Sequence, residues 1–255
     1  MYGLAPGVPG DQPIKPAGRR RLLRTLAAAL AGACCLAVAV VAGAQADARL
    51  TRPPTPAELS AAAATAVADR WRTWPAGRIF PVQLGYGTSL LTQETARRVG
   101  IAPAATCRAS LDAALGGLAV RSGCRAVVRA TYVDQLQGVV FTIGVLAFGS
   151  ARRAAAFARG MPGGGAVVTG LRAQAFPGTA SAAFNDAARQ ASTKAQAGPY
   201  VVLTVSGYAD GRPAAATGER ESSVFAPAVQ LAAAVIGPLT TPAQVNCGDH
   251  AEWSC

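Results

Sequence analysis

Histidine is all but missing from this chain: His250 is the single one in 255 residues. A zinc site built from Cys and His ligands is therefore not expected, and Ser-His-Asp or Cys-His catalysis would hang on that one imidazole. No Ser stands in a Gly-x-Ser-x-Gly elbow, and there is no Cys-x-x-Cys. The run Gly163-Gly164-Gly165 lacks the Gly-Lys-Ser/Thr that completes a phosphate loop. Carboxylates are scarce, 13 against 24 bases. A glycosidase pair would have to come from Asp134, Asp186 and Asp210, which nothing in the sequence brings together and which read as loop or turn residues. No metal or other cofactor is expected, and no catalytic residue stands out.

What the chain does have is one long uncharged run. Thr25–Ala46 holds 22 residues without a charge, directly after Arg19, Arg20, Arg21 and Arg24. A bilayer core of ~30 Å needs roughly 20 apolar residues in a helix, so the run is long enough to span, and the bases should stay on the cytoplasmic side. Residues 1–21, rich in Gly and Pro, read as a disordered cytoplasmic tail, 22–46 as the membrane helix, 47–54 as a linker and 55–255 as an extracytoplasmic domain. A cleaved signal is the rival, since Ala42-Gly43-Ala44 and Ala44-Gln45-Ala46 offer small-residue cleavage sites. Arg19–Arg24 also resembles a twin-arginine export signal, with Gly18 where Ser or Thr is usual. Cys34 and Cys35 lack the upstream Leu of a lipobox and read as small residues of the apolar helix.

Five of the bases and one of the acids lie in residues 1–46, which leaves 19 bases and 12 acids, a net +7, on the rest. The bases are scattered singly or in pairs, so nucleic acid is not an expected partner. The bilayer, through Thr25–Ala46, is one partner, and another envelope or membrane protein is a second. The four cysteines after the apolar run are Cys107, Cys124, Cys247 and Cys255. An even count outside the cytoplasm suggests disulfides, and of three connectivities Cys107–Cys124 with Cys247–Cys255 joins near neighbours.

Thr55-Pro56-Ala57-Glu58 is a capping box with Pro in the first turn, followed by an apolar face of Leu59, Ala63, Val67 and Trp71. A strand is expected over Ile79–Tyr86, a short helix over Thr92–Val99 and a helical pattern over Ser110–Leu115. Arg125–Val133 and Val139–Phe148 alternate and flank Asp134–Gly138, a hairpin loop. Ser150 caps a helix over Ala151–Arg159, with Gly160 as its C-cap. Leu171–Phe176 reads as a strand, Ser181–Ala191 is ambiguous, and Tyr200–Tyr208 is a strong strand turned by Asp210-Gly211. A last helix runs from Ser222 or Ser223 to Ile236, closed by Gly237-Pro238. The fold class is α+β: a mostly antiparallel sheet with packed helices, preceded by one N-terminal transmembrane helix. For binding, the hairpin tip (Asp134, Gln135, Gln137) and the turn after the strong strand (Tyr208, Asp210, Arg212) are the surface candidates, because both mix aromatic, amide and charged groups at strand ends.

The run TYVDQLQGVVFTIGVLAFGSARRAAAF, with GPYVVLTVSGYADGR later, resembles a group of actinobacterial anchored or secreted extracytoplasmic proteins of no known activity. In architecture the chain is also similar to sensor domains of mycobacterial receptor kinases, although it lacks a kinase. The resemblance implies an envelope protein that binds or senses. The alternatives are a secreted hydrolase, exported by the general or twin-arginine route, and a structural component of a membrane assembly.

Overall fold

A computed structural model describes residues 17–88, 92–161, 170–214 and 222–244. The chain divides into two compact units, Met1–Pro54 and Thr55–Cys255.

The first unit is helix α1, Ala17–Thr51. It exceeds the expected span at both ends. It starts directly after Pro16, and nothing breaks it until Pro53-Pro54, because Ala46, Ala48 and their neighbours favour helix. Within its stretch Arg21–Ala48 an 18-residue run reaches a mean hydropathy of 2.4, and none of it is buried. At 1.5 Å per residue those 28 residues measure about 42 Å, more than a bilayer core requires.

The second unit is built on a six-stranded antiparallel sheet. Its strands are β1 (Gln83–Gly87), β2 (Gln93–Ala105), β3 (Cys124–Val133), β4 (Val139–Phe148), β5 (Ala191–Ala197) and β6 (Tyr200–Tyr208), in the order β1-β2-β3-β4-β6-β5. Six helices accompany it: α2 (Pro56–Thr73), α3 (Ala76–Ile79), α4 (Cys107–Ser110), α5 (Ala113–Arg121), α6 (Ala151–Gly160) and α7 (Pro227–Thr240). Every residue of β4 is buried, because helices and loops cover both faces of the sheet. On one face Tyr132, Phe141, Ile143 and Val202 pack with Leu231, Val235 and Leu239 of α7 and Val67 of α2. On the other, Val127, Leu146, Phe148 and Val201 pack with Leu115 of α5, Phe157 of α6, Leu171 and Phe184. The 18-residue run Ser223–Thr240, which ends in α7, is also apolar, with a mean hydropathy of 1.5, but six side chains of α7 are buried in the first of these cores.

The hairpin β3–β4, helix α6 with Ser150 as N-cap, strand β6 and the Thr55 capping box lie where the sequence put them. The bond Cys107–Cys124 is present; Cys247 and Cys255 lie outside the described residues. Five local expectations are corrected. Thr92–Val99 is the first half of β2, not a helix: its pairing with β1 and β3 outweighs local propensity, and only Ala96 and Ala102 in this strand are buried. The strand expected over Ile79–Tyr86 begins at Gln83, after the helical turn of α3. The pattern at Ser110–Leu115 is split between α4 and α5, because Leu111 turns away to bridge Leu171.

Leu171–Phe176 forms that single bridge and no strand. It crosses the sheet as irregular backbone whose N–H groups donate to side chains, Ala173 to Asp186, Gln174 to Thr142 and Phe176 to Ser181. Gly144 makes room for it, since a Cβ there would sit 2.5 Å from the Leu171 side chain. Lastly, α7 does not stop at Gly237-Pro238 but continues to Thr240, where its final carbonyls have a partner described below. Strand β5 had no sequence signal. It is a polar edge, with Ser192, Lys194 and Gln196 exposed.

Candidate binding groove

Strand register brings the two surface candidates together. Val139 lies opposite Tyr208, and the Ala209 N–H donates to the Gly138 carbonyl at 2.9 Å. Their polar groups are largely spent on turn chemistry. Asp134 Oδ1 accepts from the Val139 N–H at 2.7 Å, and Asp210 Oδ1 accepts from the Arg212 N–H at 3.0 Å. The Arg212 guanidinium lies 3.4 Å over the Tyr208 ring and 3.6 Å from Asp210, and Tyr208 packs edge-on against Phe225 at 5.3 Å. Gln135 and Gln137 are exposed at the tip, where Gln137 takes a φ of 58°. The cluster is a set of closed turns. Asp186, the third carboxylate of the sequence reading, is engaged elsewhere by Arg189 and the Ala173 N–H. His250 lies outside the described residues.

A groove opens at the other end of the sheet, on one flank of α2. How α2 docks explains it. The helix is anchored through its C-terminal half, where Val67 and Arg70 are its buried residues. The Tyr200 hydroxyl donates to the Val67 carbonyl at 2.7 Å and accepts from the Trp71 N–H at 3.2 Å. Arg70, 8% exposed, donates from Nη1 to the carbonyls of Pro238, Leu239 and Thr241 at 3.1, 3.0 and 2.5 Å. These are the orphan acceptors at the C-terminal end of α7, which explains why that helix persists past Pro238. Arg70 and Arg78 also stack on Trp74, at 4.8 and 3.8 Å from the ring centre. Burial lowers the Arg70 pKa from its ordinary value, and the guanidinium remains charged. Ala63 and Ala64 of α2 form part of a wall.

The resulting cavity of about 610 Å³ is lined by Ala63, Ala64, Thr65, Val67, Ala68, Asp69 and Arg72 of α2, and by Arg125 at the start of β3. Gly149–Ala151, Gly198-Pro199 and Pro242-Ala243 complete it. Its surface is mainly apolar. The charges sit together: Asp69 accepts from Arg72 Nε and Nη2 at 3.0 and 2.6 Å and lies 3.5 Å from Arg125 Nη1. The hydrogen bond from Arg72, aided by the charges of Arg72 and Arg125 and opposed by burial, holds the Asp69 carboxyl below its ordinary pKa, so it is ionised at neutral pH. A wider and more polar recess lies on the opposite flank of α2, lined by Glu58, Arg70, Trp74, Arg78 and Gln244 among others.

The groove's hydroxyls are engaged: Thr65 donates to the Ala61 carbonyl, and Ser150 serves as the N-cap of α6 and accepts from the Arg153 N–H; among the described residues no imidazole or thiol lines the wall. Among the described residues no three His, Cys, Asp or Glu side chains are grouped to hold a metal. Sequence reading missed this site because Ala63 and Val67 looked like core positions of an amphipathic helix. Only Val67 is one; Ala63 faces the cavity. No protein-family model, no curated protein and no solved structure matches the chain.

Proposed function

We propose that this chain is a single-pass, membrane-anchored binding or sensing domain of a cell envelope, with its folded unit outside the cytoplasm and the α2 groove as its ligand seat. The observation that carries the reading is the uncovered apolar length of α1, Arg21–Ala48, none of which is buried. In water this surface would be a large unsatisfied cost, and a bilayer removes it. Supporting it are the basic cluster Arg19–Arg24 ahead of the apolar run, which matches cytoplasmic retention of that end, and the Cys107–Cys124 bond, which matches an oxidising compartment. The groove supplies a reason for the domain to be displayed.

Flotation on a density gradient after alkaline carbonate extraction tests the anchor. The full chain is expected to float with the membranes. A variant with Leu30, Leu36 and Val40 replaced by Asp, each substitution costing roughly 3 kcal/mol or more at a helix centre relative to the apolar residue, is expected to leave them. Release of the unaltered chain into the carbonate supernatant would overturn the reading.

A further inference from the structure

We propose that the α2 groove binds an anionic amphiphile: one alkyl chain along the alanine wall, with a phosphate or carboxylate head on Arg125 and Arg72. This deepens the reading of the groove as a ligand seat and rests on it.

Three features of the groove select this chemistry. Its volume of about 610 Å³ falls within the ~300–1,000 Å³ of small-molecule sites. Among the described residues its lining contains no aromatic ring and no Asn or Gln to stack on a sugar or base or to read several hydroxyls. It also presents no free strand edge. The wall is a helix whose backbone groups are already paired, so an extended peptide would leave its own N–H and C=O groups unmatched, whereas an alkyl chain has none to match.

Charge fixes the sign of the head. Two guanidiniums face the cavity and share one carboxylate. Arg72 has both its bonds to Asp69, but Arg125 approaches Asp69 only at 3.5 Å and donates no hydrogen bond among the described residues. Its guanidinium lies over Gly149, where a Cβ would meet Nη2 at 3.1 Å, which places the free donors at the rim of the groove. A bidentate anion satisfies those donors and completes the charge balance that Asp69 leaves open.

The test uses the full chain, labelled with ¹³C-methyl alanine, in nanodiscs of zwitterionic lipid. It is titrated with octyl phosphate, octyl glucoside and inorganic phosphate. Octyl phosphate is expected to shift the methyl signals of Ala63, Ala64 and Ala68 saturably. Arg125→Gln, a change at a half-exposed side chain, is expected to weaken that binding about tenfold or more. Ala64→Trp, which fills the groove from an exposed position, is expected to abolish it.

Equal affinity for octyl glucoside would overturn the anionic head, and equal affinity for inorganic phosphate would overturn the alkyl chain. No saturable shift at these alanines overturns the site altogether. A shift that appears only after removal of residues 245–255 assigns the groove to that segment and overturns the proposal too. None of these results bears on flotation, so failure of the ligand and failure of the anchor remain separate.

Discussion

Replacing Arg70 by alanine is expected to cost the folded unit about 3 kcal/mol, roughly the worth of one or two charge-assisted hydrogen bonds once water has rehydrated the exposed carbonyls. The side chain is buried and supplies the C-terminal end of α7 with donors at three carbonyls, so its loss leaves those acceptors without partners and a gap between α2 and α7. Lysine is not expected to rescue it, since an ammonium on a flexible stem does not reproduce the planar guanidinium that reaches Pro238, Leu239 and Thr241 while stacking on Trp74. For a unit of this size the loss corresponds to a fall in Tm of about 6–12 °C. The effect reaches the groove as well: α2 is its wall, and Arg70 is one of the few groups that fasten α2. Octyl phosphate binding should therefore weaken in Arg70→Ala although Arg70 does not line the cavity. A Tm within ~2 °C of the parent would show that Tyr200 and Val67 hold α2 without it.

The second large effect belongs to the disulfide. Cys107 and Cys124 are 17 residues apart, and the bond joins the start of α4 to the start of β3. Closing a loop of that length is worth about 3 kcal/mol in the chain-entropy model. The double variant Cys107→Ala/Cys124→Ala is expected to lower the stability in urea by that amount with little change in the slope of the transition, because the surface exposed on unfolding is nearly the same. The enclosed helix α5 still buries Leu115 and Ala119 against the sheet, so the variant should fold. A loss below ~1 kcal/mol would mean that these contacts, not the crosslink, restrain the segment.

How legible all this was in the sequence varied with the physics of each element. The hairpin β3–β4 and strand β6 were readable because the central strands of a covered sheet carry long runs of β-branched and aromatic residues. The Thr55 box and Ser150 were readable because capping is local chemistry. Strands β2 and β5 lie toward the edges of the sheet, where polar side chains are tolerated, and so their alternation is weak. The segment Leu171–Phe176 buries Leu171 and half-buries Ala173, Ala175 and Phe176, yet the N–H groups of Gln174 and Phe176 donate to side chains rather than to a ladder.

The candidate site divides the same way. Asp134 and Tyr208 lie at strand ends that the register brings together, where Asp134 closes its turn and the Tyr208 ring packs on Arg212 and Phe225. The groove is assembled from α2, β3, the turn before α6, the β5–β6 turn and the chain after α7. Apart from β3, which supplies Arg125, each contributes Ala, Gly or Pro, residues that signal nothing when read one segment at a time. Its two cations, Arg72 and Arg125, are 53 positions apart and meet only at Asp69.

The central claim is that the folded unit stands outside the cytoplasm on a membrane helix. It is tested most directly by placing a cysteine at exposed Gln196 on edge strand β5, in a background where Cys34, Cys35, Cys247 and Cys255 are serine, and treating intact cells with a membrane-impermeant maleimide. The account predicts that Gln196→Cys is labelled in intact cells and that the labelled chain sediments with the membranes. Labelling that appears only after the cells are broken would place the unit inside and contradict it.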